Sequence, residues 1–207
     1  MDNRHGNSAQ QPPREGLSRG LCAGMLMVLS LALLAPQVRA EISEKLDYTD
    51  YPVPASEEAS LGRSLNRNSP IRHDGLTYHA YTTWTVNWTY RWTDAGGYCR
   101  ISEVATQLHG IIKLPRLEGG SESLRGQFDR YLQALHQHEL GHYQIGRKAA
   151  LEVDRELRAL PVMANCQRLS AAANRIAHQV VDRHKEEERT YDLITVHGRL
   201  QGARLDL

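Results

Sequence analysis

The 207-residue chain is 41% hydrophobic and 24% charged, with 25 basic and 24 acidic residues, an ordinary balance for one globular domain. A formal charge of +1 excludes the strongly basic surface on which nucleic-acid binding rests. Nothing in the bulk of the chain has the composition of a disordered or low-complexity protein.

Residues 1–40 read as an address rather than as part of the fold. A polar start carrying Arg4, Arg14 and Arg19 leads into an apolar run from about Leu21 to Ala35 and then Val38-Arg39-Ala40, the layout of a secretory signal peptide cleaved before Glu41. The run is shorter than the ~20 residues of a membrane-spanning helix. Cleavage removes four arginines and two acids and turns the formal charge to −1. The expected product is one domain, residues 41–207, periplasmic or secreted, with no nucleic-acid partner and no membrane contact. Cys99 and Cys166 are the cysteines left, and an even count in an exported chain predicts a disulfide. It would tie a loop in the first half to the connection between two long helices.

Along the mature chain, Leu46 to Val53 alternates and ends at Pro52 and Pro54, as a short edge strand does. Ser56 can cap a helix with Glu57 and Glu58 in its first turn and Leu61 and Leu65 on its inner face. From Tyr81 to Trp92 the even positions Trp84, Val86, Trp88, Tyr90 and Trp92 oppose mostly threonines, the clearest strand of the sequence. Asp94-Ala95-Gly96-Gly97 turns the chain into a second strand region, Tyr98 to Leu114, interrupted near His109-Gly110 and closed by Pro115. A hairpin or meander follows from this. A helix begins at Ser121 or Ser123 and runs to about Leu160, where Pro161 ends it. A second helix starts near Asn165, carries Leu169, Ala173, Ile176 and Val180 inward, and ends in the charged run Lys185 to Arg189. The segment Tyr191 to Gly198 is ordered again. The sum is an α+β fold with a small antiparallel sheet packed on a long helix and a second, antiparallel one.

The long helix carries His138-Glu139-Leu140-Gly141-His142, an HExxH sequence. Positions four apart stand one above the other on a helix, so both imidazoles can close on one metal ion at ~2.0–2.1 Å. Glu139 is rotated by about 100° and stands beside that ion, placed to take a proton from water. Both histidines also occupy the apolar stripe Leu124, Phe128, Tyr131, Leu135, His138, His142, Ile145, Ala149, Val153, Leu157. A buried ring without a partner costs ~1–3 kcal/mol. Zn2+ would be such a partner; hydrogen-bonding neighbours would be another.

A catalytic zinc site wants a third protein ligand. Ile145 and Lys148 stand where one common pattern after HExxH has glycine and histidine, so the ligand lies elsewhere. Folding two helices about Pro161 brings residues 180–184 level with 138–142, which nominates His184; His178 and Asp182 are rotated away. His197, between Thr195 and Gly198, is the other candidate. Tyr191 and Tyr143 are candidate donors to a developing oxyanion.

With HELGH inside Tyr131-Leu132-x-x-Leu135-x-x-HELGH, the strand Thr83-Trp84-x-Val86-x-Trp88, both cysteines and the ending YDLITVHGRLQGA from Tyr191 to Ala203, residues 45–205 resemble a bacterial domain-of-unknown-function family. Its members are described as secreted zinc-dependent proteases. The resemblance implies a zincin-like fold and makes His197 the third zinc ligand beside His138 and His142. The expected activity is peptide-bond hydrolysis with Glu139 as general base, the substrate a peptide or protein lying extended along a strand edge. A cell-envelope protein that binds zinc or a partner without turnover is the alternative.

Overall fold

The computed structural model describes residues 42–205 apart from Glu57 and Asp74; the expected signal peptide lies outside the described residues. In chain order these form β1 (Ser43–Pro54), α1 (Leu61–Asn68), a short hairpin of β2 (Arg72–His73) and β3 (Leu76–Thr77), β4 (Tyr81–Ala95), β5 (Tyr98–Glu118), α2 (Glu122–Arg158), α3 (Cys166–Thr195) and a 3-10 turn at Arg199–Gln201. The fold is α+β, a small sheet with helices packed against it. No helix among the described residues is long and apolar enough to cross a membrane.

The main sheet has the order β1-β5-β4. β4 and β5 pair antiparallel through the Gly96-Gly97 turn, as the alternation predicts. β1, however, runs parallel to β5, so the sheet is mixed and not antiparallel. Alternation reports which face a side chain takes and not the direction of the neighbour. The chain from α1 through β4 supplies the dozen or more residues that a parallel crossover needs. β5 also continues to Glu118 through Pro115. Pairing with β4 ends at Lys113, so Pro115 lies where β5 has β1 alone as neighbour, a place that tolerates a residue without an N–H.

The helix caps explain the helix bounds. Ser60, not Ser56, caps α1, accepting from the Arg63 N–H, and Leu61 and Leu65 are buried as expected. Ser121 caps α2 and Asn165 caps α3. α2 is 37 residues long and its apolar stripe divides into two cores. One, with Tyr51, Val53, Leu65, Phe128, Tyr131 and Leu135, packs under β1 and α1. The other joins Trp84, Val86, Leu108, Ile145, Ala149, Val153 and Leu157 to Ala173, Ala177 and Val180 of α3. His138 and His142 fall between these two cores.

α3 extends further than the sequence suggests. The run 185–189 lies inside it rather than at a solvated end, and Tyr191–Thr195 form its last turn. Glu188 is held by Trp84 Nε1 (3.1 Å) and Lys185 Nζ (2.9 Å), so this part of the helix is packed against β4. The Cys99–Cys166 disulfide, with Cα atoms 5.1 Å apart, clamps the start of α3 to β5. Closing a 67-residue separation stabilises by about 4 kcal/mol in the loop-entropy model.

Candidate functional site

An open cavity of about 480 Å3 lies above the middle of α2. Its lining includes His138, Glu139 and His142 from α2, Glu188, Asp192 and Leu193 from α3, Tyr81 and Thr82 from the start of β4, and His197. Among the described residues β4 is an edge strand of the sheet, and its first residues, Tyr81 and Thr82, line this cavity.

His138 and His142 are 3% and 6% exposed. Their Nε2 atoms face each other at 3.3 Å, and both point at Asp192 Oδ1, 3.2 Å from His138 and 3.0 Å from His142. Among the described residues, these three atoms form a group of ligand-type side chains that converges closely enough to hold a metal. A chain of hydrogen bonds assigns the His138 tautomer. Tyr191 Oη lies 3.3 Å from the His138 carbonyl, to which it donates, and accepts from Gln201 Nε2 at 2.9 Å. That leaves Gln201 Oε1 to accept from His138 Nδ1–H at 2.9 Å. Neutral His138 therefore presents a lone pair at Nε2, aimed at a carboxylate oxygen and another ring nitrogen. One proton cannot satisfy three such atoms at once. A divalent cation can, and tetrahedral bonds of ~2.0–2.1 Å place ligand atoms about 3.3 Å apart, close to the edges of this triangle. The donor set, two imidazoles and a carboxylate, is one that zinc accepts.

The electrostatics point the same way. Burial disfavours the imidazolium of His142, but the carboxylates of Asp192 and Glu188 outweigh it and raise its pKa to about 9. Partial burial opposes the charged form of Asp192, yet the His138 and His142 rings hold it well below the usual carboxylate range. His142 Nδ1 is buried without a hydrogen bond, 3.4 Å from Glu188 Oε1. Glu139 is 4% exposed and accepts from Thr82 Oγ1 at 2.6 Å. Burial raises its pKa, with Thr82 and the two histidines offsetting part of the rise.

The third corner of the triangle is thus Asp192, where sequence reasoning has His197 or His184. His197 is 3.4 Å from Asp192 Oδ1 through Nδ1, about half exposed, and packs edge-on against Tyr78. It borders the cavity without joining the three-atom group. His184 is elsewhere: Nε2 meets Glu152 and Nδ1 meets Glu187, both at 2.8 Å. The connection between the helices runs from Ala159 through Asn165 instead of pivoting at Pro161. Residues nearer the C terminus, Glu188 and Asp192, are therefore the ones that reach 142 and 138. Tyr143 donates to Glu44 at 3.0 Å, and the bonds of Tyr191 are those given above, so neither has its hydroxyl free for an oxyanion.

Two glycines let the site close. At Gly141 a Cβ would collide with the Tyr191 phenol, whose ring stacks on His138 with centroids 5.1 Å apart. Gly198, at φ +79°, brings its Cα against the His138 ring, 2.9 Å from where a Cβ would stand. Just before it, Val196 and His197 are the described non-glycine residues with positive φ, a conformation that costs ~1–2 kcal/mol for such residues. This strained exit from α3 is tied back by His197 N–H to Asp192 O at 2.9 Å.

No curated protein and no solved structure matches the chain. A family described as a bacterial protein of unknown function, DUF922, matches residues 48–198, which takes in β4, β5, the HExxH helix and all of α3, ending at Gly198. The chain belongs to this family.

Proposed function

We propose that this protein is an exported zinc-dependent peptidase, with His138, His142 and Asp192 as metal ligands and Glu139 as general base. The observation that carries the reading is the triangle of Nε2, Nε2 and Oδ1 with edges of 3.0–3.3 Å beside a buried carboxylate in an open cavity. Bound there, zinc supplies a Lewis acid that acidifies water and polarises an amide carbonyl.

The chain's own residues supply the rest. Glu139 takes the proton of the attacking water and delivers it to the departing nitrogen; its raised pKa suits it to both. Thr82 fixes the carboxylate that does this. The free edge of β4 offers main-chain hydrogen bonds to an extended peptide, a mode that orients a backbone with little demand on its sequence. The Cys99–Cys166 disulfide supports an oxidising compartment, periplasmic or extracellular.

Glu139→Gln tests the reading. Hydrolysis of a peptide mixture should fall at least ~100-fold while zinc stays bound. Hydrolysis at the wild-type rate would remove Glu139 from the mechanism, and bound zinc with no hydrolysis by the wild type would favour a non-catalytic zinc protein.

A further inference from the structure

Attack on an amide builds negative charge on the carbonyl oxygen, and one donor held ready for that oxygen is worth ~10²–10³-fold in rate. With Tyr143 and Tyr191 engaged elsewhere, two tyrosines of the cavity are left, Tyr78 and Tyr81. The Tyr78 ring is turned edge-on to His197, centroids 5.2 Å apart. Tyr81 is the first residue of β4, half exposed and part of the cavity lining, and its hydroxyl makes no hydrogen bond among the described residues. The next residue, Thr82, is bonded to Glu139 at 2.6 Å, so the strand that presents Tyr81 is pinned to the proposed base. Partial burial, and then the charges of Glu188, Asp192 and Glu139, raise the Tyr81 pKa. The phenol lines the same cavity as the base and the carboxylate ligand, and it keeps its proton near neutral pH.

We infer that Tyr81 is a catalytic residue that donates a hydrogen bond to the oxyanion formed during amide hydrolysis. The inference rests on the peptidase reading above. Water adds its oxygen to the carbonyl carbon and gives a proton to Glu139, and the π pair of the carbonyl moves onto its oxygen. Tyr81 O–H donates to that oxygen without losing its proton. On collapse the carbon–nitrogen bond breaks, its electron pair goes to nitrogen, and Glu139 hands nitrogen the proton.

Tyr81→Phe in the zinc-loaded protein tests this. The expected result is a fall of ~100-fold in kcat with KM and zinc content unchanged. A phosphonamidate peptide, whose tetrahedral anion stands in for the oxyanion, should bind the variant ~100-fold more weakly. An ordinary peptide should bind Glu139→Gln protein equally well with or without the Tyr81 change. Unchanged kcat, a loss carried by KM, or the same loss with Tyr78→Phe in place of Tyr81→Phe would overturn the assignment and leave the peptidase reading standing. A wild-type protein that holds zinc and cleaves no peptide would overturn both.

Discussion

His184 and the His138–His142 pair are all buried histidines flanked by carboxylates along the seam between α2 and α3, yet they are wired differently. Each nitrogen of His184 faces its own carboxylate, Glu152 or Glu187. Those carboxylates are tied in turn to Arg183, Arg155 and Lys148. Every ring nitrogen and carboxylate oxygen there has a protein partner. In the other cluster two Nε2 atoms converge on one carboxylate oxygen and the cavity opens beside them. A histidine with acids around it is no metal site by composition alone. What separates the two is whether the ring nitrogens are distributed among partners or aimed at one point.

His142→Ala should weaken zinc binding by more than about 100-fold, beyond the 10–100-fold that a supporting residue costs, whereas His184→Ala should leave it unchanged; equilibrium titration against a competing chelator measures both. Gln201→Ala removes the acceptor that fixes the His138 tautomer and should cost ~10-fold in zinc affinity. His184→Ala should instead appear in thermal unfolding, with a loss of about 1–3 kcal/mol as the acids around it lose their shared partner.

The two clusters also differ in the pH range over which they stabilise the metal-free protein. The folded-state pKa of His142 is raised from 6.5 to about 9, so its contribution is complete below about pH 6.5 and is lost as pH rises through 9. For Glu152, burial opposes ionisation but His184 and Arg183 lower the pKa; for Glu187, Lys148 and then His184 do so. That contribution is present above the ordinary 4.5 and is lost as pH falls below it. Melting temperatures should decline on both sides, and added zinc should remove the alkaline decline alone, since the metal replaces the proton at His142. Apparent zinc affinity should rise between pH 6 and 9; a flat profile would contradict the convergence. The smallest effect concerns backbone strain, which among the described non-glycine residues sits at Val196 and His197. Val196→Gly should stabilise by about 1 kcal/mol or less in thermal unfolding.

How much of this was legible in the sequence follows from the range of each interaction. The His138–His142 pair, the stripe around it and the β4–β5 hairpin depend on local periodicity, which is written into neighbouring residues. The place of Asp192 depends on how many residues the α2–α3 connection consumes: a fold about Pro161 nominates His184, the family resemblance nominates His197, and the longer connection brings Asp192 to the two rings. A usable signal existed: Glu188 and Asp192 are four apart on α3, one face with two carboxylates, inside the YDLIT ending. The parallel direction of β1 had no such signal. That the hydroxyls of Tyr143 and Tyr191 are engaged is not legible either, because Glu44 lies 99 residues from Tyr143 and Gln201 reaches Tyr191 only through the turn that follows α3.

The central claim is that His138, His142 and Asp192 share one divalent cation. Zinc per chain should be measured in the purified protein and in His138→Ala, Asp192→Ala and His197→Ala. The account predicts about one zinc per chain for the wild type and for His197→Ala, and none retained by His138→Ala or Asp192→Ala. A wild type that takes up no zinc, or a site that survives Asp192→Ala and fails with His197→Ala, would contradict it.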